Sequence, residues 1–136
     1  MRILVCGSRS IVDKKFITST LKQVFVELIK ANRDETHTVI TGGAKGPDKI
    51  ANDWAERQWE RNGYIKSSIV YPAEWEKYGR SAGMKRNAEM LQSGVDLVIA
   101  FWDGKSSGTL NTINTACKMG IKGRIYSPDL KGWKEI

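Results

Sequence analysis

Two hydrophobic rhythms alternate along this chain. Short, nearly unbroken apolar runs bounded by glycine or proline predict strands covered on both faces, and longer stretches with apolar residues three to five apart predict amphipathic helices. Arg2 to Gly7 (RILVCG) is the first such run, and from about Val12 to Ala31 the residues Phe16, Leu21, Val24, Phe25, Leu28 and Ile29 keep helical spacing. His37 to Thr41 (HTVIT) is a second strand, meeting Gly42-Gly43. Pro47, tolerated in a helical first turn, then opens a helix whose period holds through Ile50, Ala51, Trp54, Ala55 and Gln58 until Asn62-Gly63 stops it.

Ile65 to Tyr71, closed by Pro72, is the third strand. Ala73 to Ser81 has no clean period and reads as an ordered loop or short helix leading into a helix from about Ala82 to Gln92. Val95 to Trp102 (VDLVIAFW) is the most hydrophobic strand, hence central; Thr109 to Met119 is helical, and Gly123 to Ser127 is a last strand before a polar tail containing Trp133.

Strands that alternate with helices make a parallel sheet, because parallel neighbours need crossover connections and those are right-handed. The expected fold is a Rossmann-like three-layer α/β domain with a five-stranded parallel sheet in the order 3-2-1-4-5. Ligands of such sheets sit beyond the carboxyl ends of the strands where the winding reverses, here between the first and fourth.

Composition narrows the class. The 136 residues, 40% of them hydrophobic, suit one domain spanning residues 1–136, and 27% charged residues with five Trp exclude a disordered chain. No apolar run nears the roughly 20 residues of a membrane span, and MRILVCGSRS passes directly from strand to turn, so neither an anchor nor a signal peptide is expected. Cys6 and Cys117 lie in apolar segments without CxxC spacing, which reads as reduced, buried thiols of a cytoplasmic protein. His37 is the only histidine, so no metal site or cofactor is expected. The 22 Lys and Arg against 15 Asp and Glu leave +7, which admits an anionic partner, although Lys14, Lys15, Lys22 and Lys30 fall on the wet face of a helix.

Candidate chemistry gathers at three strand ends: Gly7-Ser8-Arg9-Ser10, Thr41-Gly42-Gly43-Ala44-Lys45-Gly46-Pro47-Asp48, and Asp103-Gly104-Lys105-Ser106-Ser107-Gly108-Thr109. Glycine lets backbone N–H groups approach a ligand, and a helix N-terminus adds unpaired donors and partial positive charge, so phosphate is the natural guest. Arg9 and Lys45 supply charge, Ser107 and Thr109 hydroxyls, and Asp48 and Asp103 can bind ribose hydroxyls or cap the following helices. GxGxxG and the P-loop ending GK[ST] are both absent, which disfavours kinase and P-loop chemistry.

A further block, Tyr78 to Met90 (YGRSAGMKRNAEM), carries Arg80, Lys85 and Arg86, then Asn87 and Glu89. Arg86 is placed to clamp a phosphate bidentately, and Trp75, Tyr78 and Trp102 are candidates to stack on a base. Asp96 begins its strand at the wrong end, and His37 does the same, so no Ser/His/Asp or Cys/His set can form.

GSRS, TGGAKGPDKIA, AEWEKYGRSAGMKRNAEM and AFWDGKSSGT, taken in order, resemble the YspA/YpsA-related branch of the SLOG superfamily from Ile3 to about Ile125. The resemblance implies a Rossmann-like fold that binds nucleotides or nucleotide-derived ligands, with Gly42, Gly43 and Gly46 on the family's first glycine-rich loop and Gly104, Ser107, Gly108 and Thr109 on its second. LOG phosphoribohydrolases of the superfamily carry RKxxM and PGGxGTxxE. Arg86, Asn87 and Met90 match the first as RNxxM; the second keeps Gly108-Thr109 but has Thr112 where the catalytic glutamate stands. A threonine cannot act as that carboxylate.

Three functions follow as expectations. The first is a binding domain or sensor for a nucleotide-like small molecule. The alternative is an N-glycosidic hydrolase of a nucleoside monophosphate or an ADP-ribose-like compound, with Arg86 and either Asp103 or Glu89 as catalytic residues. The third is single-stranded nucleic-acid binding in the manner of the superfamily member DprA. LOG relatives are dimers, so the resemblance also implies a homodimer, for which Trp59 and Trp133 offer surface.

Overall fold

The computed structural model describes residues 1–136. Six strands, β1 (Arg2–Gly7), β2 (His37–Thr41), β3 (Ile65–Val70), β4 (Leu97–Phe101), β5 (Lys122–Tyr126) and β6 (Lys134–Glu135), form one sheet in the order β3-β2-β1-β4-β5-β6. The first five are parallel and stand in the expected order. β6, which the polar tail did not announce, pairs antiparallel to β5 and covers part of that edge.

Four long helices, α1 (Lys14–Ala31), α2 (Pro47–Asn62), α4 (Ala82–Gln92) and α5 (Ser107–Lys118), and one short turn, α3 (Trp75–Tyr78), connect them. Ala73 to Ser81 therefore does hold structure: α3 runs into a 3-10 turn at Gly79–Ser81 and on into α4. No helix is long and apolar enough to cross a membrane.

Strand residues alternate between two cores because successive side chains point to opposite faces. Ile3, Val5, Val39 and Ile99 pack with Ile17, Leu21 and Phe25 of α1 and Trp54 of α2. Leu4, Cys6, Ile40, Val98 and Ala100 pack with Met90 and Leu91 of α4 and Ile113 of α5. The helices before β3 thus cover one face and those after it the other, so the winding reverses between β1 and β4. These two strands run in register from Ile3 opposite Leu97 to Gly7 opposite Phe101, which sets both carboxyl ends at the same height. Cys117 departs from expectation: it is exposed near the end of α5, because helical period turns it away from the face that buries Ile113 and Ala116.

Candidate functional site

The three bends meet at this switch point. Gly46 caps α2 at φ 89°, and a Cβ there would stand 3.3 Å from Arg9 Cα and 3.3 Å from the carbonyl oxygens of Ser8 and Ile11, so the second bend lies directly on the first. A side chain at Gly7 would come within 2.5 Å of Pro47 Cγ, which makes glycine the only residue that lets α2 start so close to β1. The third bend ties to the first through the Ser10 hydroxyl, which donates to Asp103 Oδ2 at 2.6 Å, and through Asp103 N–H, which donates to Ser8 Oγ at 3.0 Å.

Over these bends opens a cavity of about 630 Å³. Gly7, Arg9 and Ser10 of the first bend line it, with Ala44 and Asp48 of the second and Asp103, Ser106, Ser107, Gly108 and Thr109 of the third. Arg86 and Asn87 of α4 complete the predicted part of the wall.

Backbone donors in the bends are unequally available. In the second bend the protein supplies its own anion: Gly42 N–H and Ala44 N–H both donate to Asp48 Oδ2, at 3.1 and 3.3 Å, while Gly43 N–H reaches Thr41 Oγ1. In the third, Lys105 N–H and Ser106 N–H close on Asp103 Oδ1 at 2.8 Å, and Thr109 N–H is capped by Ser106 Oγ. Ser107 and Gly108, in the first turn of α5, keep N–H groups with no partner, as the first residues of any helix do. Arg9 and Ser10 of the first bend likewise make no backbone N–H bond, but at the start of α5 the free donors are backed by the partial positive charge of a long helix.

Electrostatics sharpen that asymmetry. Burial pushes the Asp48 carboxyl up from its ordinary value to about 6, against the opposing pull of the Ala44 and Gly42 amides and the nearby Arg86 and Arg9 charges. Hydrogen bonds from the Ser10 hydroxyl and the Ser106 and Lys105 amides hold Asp103 well below the usual carboxylate range. Arg86 spends its donors on the fold: Nη1 reaches the carbonyls of Gly42 at 2.7 Å and Tyr71 at 3.4 Å, and Nε reaches Asn87 Oδ1 at 2.9 Å. Only Nη2 makes no hydrogen bond within the protein, so Arg86 can offer a ligand one donor edge and not a two-pronged clamp.

This arrangement has recognisable relatives. Residues 1–78 match the family described as YspA, cpYpsA-related SLOG family. Gene 61 protein of Mycobacterium phage D29 is 34% identical over 128 residues, covering 88% of this chain and 91% of its own. The chain belongs to the YspA, cpYpsA-related SLOG family. No solved structure matches it.

Within the SLOG domain the sequence-derived candidates separate into three groups. Gly7, Arg9, Asp48, Arg86, Asn87, Asp103, Ser107, Gly108 and Thr109 reach the cavity. Ser8, Gly42, Gly43, Lys45, Gly46 and Gly104 shape the bends behind or beside it without lining it. Glu89 is brought to neither place: it is exposed on α4, two residues from the cavity-facing Asn87 and so on the opposite side of the helix.

Trp75, Arg80, Gly83, Met84, Asn111 and Thr112 also line the cavity. Arg80 belonged to the basic cluster and Trp75 to the candidate stacking residues, whereas Gly83, Met84 and Asn111 carried no signal beyond the small-residue run SAG. Trp75 is 52% exposed and its ring edge would stand 3.4 Å from a Cβ at Gly83, so the missing side chain seats the indole against α4 at the rim. Tyr78 instead lies under Lys85 and Lys77, whose ammonium groups stand 4.1 and 5.0 Å from its ring centre. Trp102, for its part, turns its indole N–H to the Ser106 carbonyl.

Proposed function

We propose that this SLOG domain binds a nucleotide or nucleotide-derived small molecule, with its phosphate at the N-terminus of α5 and its base toward Trp75. The observation that carries the reading is the pair of unpaired amides, Ser107 N–H and Gly108 N–H, opening onto a cavity of about 630 Å³ at the switch point of a parallel sheet. Thr109 and the side chains of Arg9, Arg80 and Arg86 surround the same space and favour an anion. Family membership supports a nucleotide-related ligand.

Binding without turnover is the better-supported form. Asp103 is ionised and has both oxygens engaged, Glu89 lies outside the cavity, and the Thr112 hydroxyl donates to the Gly108 carbonyl. None of these three is placed as the free carboxylate an N-glycosidic hydrolase needs, and the remaining cavity carboxylate, Asp48, is tied through Oδ2 to the Gly42 and Ala44 amides. A thermal-shift screen of nucleotides, ADP-ribose derivatives and cyclic dinucleotides, followed by product analysis of each hit, tests both forms. Stabilisation without product is expected; released base overturns the binder in favour of the hydrolase, and no stabilising ligand at millimolar concentration removes both.

Nucleic-acid binding draws support from the net charge of +7 and from Trp75 and Arg80 in the cavity wall, and it predicts salt-steep affinity for oligonucleotides that a mononucleotide barely competes. A homodimer is a further proposal, for which Trp59 on α2, 52% exposed, and Trp133, 40% exposed beside the Arg124 guanidinium 4.3 Å from its ring centre, offer apolar surface. Sedimentation of the intact protein tests it.

A further inference from the structure

Asp48 is a carboxylic acid kept at 5% exposure in the wall of the cavity, and its two oxygens have different fates. Oδ2 is fixed by the amides of Gly42 and Ala44. Oδ1 has no hydrogen-bond partner in the protein, yet the only buried side-chain polar atom without a partner anywhere in the chain is His37 Nε2. Oδ1 is therefore not sealed in. It opens onto the cavity that Asp48 lines.

The side chain cannot easily withdraw. Pro47 begins α2 against Gly7, Gly46 is pressed on the first bend, and both amides hold the carboxyl from behind. Nor is its charge cancelled by an ion pair: the only salt bridges in the chain join the N-terminal ammonium to Glu35 and Arg124 to Glu27. Arg86, the nearest guanidinium by its effect on Asp48, is bound to the Gly42 and Tyr71 carbonyls. An acceptor that carries negative charge at neutral pH thus faces the end of the cavity nearest β2, opposite in character to the amides of α5.

We propose that Asp48 sets the charge class of the ligand, accepting a hydrogen bond at Oδ1 from a neutral hydroxyl or amino group and repelling a second phosphate, so that the cavity takes nucleoside monophosphates in preference to nucleoside polyphosphates. The proposal rests on the nucleotide reading above and adds the selectivity and the residue that imposes it. The glycine bend of TGGAKGPD, which looks from its composition like a phosphate cradle, is already filled by the protein's own carboxylate. Like charges brought together in a part-desolvated site cost enough to decide between partners.

The test compares AMP and ADP by titration calorimetry on the intact wild-type protein and on Asp48→Asn. Asparagine keeps an oxygen for the Gly42 and Ala44 amides and presents an N–H donor where Oδ1 stood. Wild type is expected to bind AMP at least about tenfold more tightly than ADP, and Asp48→Asn to lose that preference or reverse it. An unchanged AMP-to-ADP ratio in Asp48→Asn reduces Asp48 to a structural anchor and overturns the proposal. Wild type binding ADP as well as AMP also overturns it while leaving the nucleotide reading intact, and failure of wild type to bind either removes that reading itself. Should Asp48→Asn not fold, Asp48→Ser, uncharged and smaller, gives the same comparison.

Discussion

Arg86 Nη1 donates to the carbonyl of Gly42 at 2.7 Å, and the same guanidinium occupies the space that any side chain at Gly42 would need. A residue of α4 is thereby fastened to the end of β2, across the mouth of the candidate site.

Gly42→Ala is expected to displace that guanidinium and destabilise the fold by about 1–3 kcal/mol, the usual cost of overpacking. Arg86→Ala costs hydrogen bonds to the Gly42 and Tyr71 carbonyls. Because the three atoms nearest an alanine Cβ at 42 all belong to the Arg86 guanidinium, the double variant should be more stable than the sum of the single losses predicts, by about 1 kcal/mol or more in urea unfolding. Strict additivity would falsify the contact.

Asp48 should make stability fall as pH rises. Its carboxyl titrates near 3.8 when unfolded and near 6 when folded, so between those values the native state holds the extra proton. The stabilising contribution is complete below about pH 4 and gone above about pH 6, a difference of about 3 kcal/mol. Asp103, held low, acts in the opposite sense and below that window, where stability is lost as pH falls. Urea unfolding of wild type and Asp48→Asn from pH 4 to 7 is expected to show the variant gaining on wild type across the window; parallel profiles contradict the assignment.

Ser107→Pro removes one of the two free amides at the start of α5 without asking anything unfavourable of the helix. Proline is well suited to the first helical position, and Ser106 before it has ψ 118°, which proline permits. Melting temperature should hold or rise while AMP affinity falls by about ten- to a hundredfold, the value of one hydrogen bond to a charged group. Unchanged affinity, read by calorimetry, moves the phosphate away from α5.

The two thiols should differ sharply in reactivity. Burial beside Asp48 pushes Cys6 far above the ordinary thiol value, whereas Cys117 is exposed. Iodoacetamide at pH 8 is expected to label one cysteine in the native protein and two in urea, and Cys117→Ser to abolish the native labelling. Modification of Cys6 in the folded variant would show that the cavity, which Cys6 also lines, admits the reagent.

The architecture was legible because it rests on local regularities. A burial period of two or of 3.6 residues is written into positions such as Ile3, Leu4 and Val5 or Leu21, Val24 and Phe25, and the rule of right-handed crossovers converts their alternation into a strand order. β6 escaped because a two-residue pairing of Lys134 and Glu135 leaves no hydrophobic signature. The glycine bends announced a site at the strand ends, and there the sequence stopped. Which amides remain free depends on whether Asp48 folds back on Gly42 and Ala44, and where Arg86 spends its donors depends on a carbonyl 44 residues away. Hydrogen-bond partners are set by three-dimensional packing and not by residue type, so the sequence by itself determined where the bends come together, and only the tertiary contacts decided which donors and charges face the cavity.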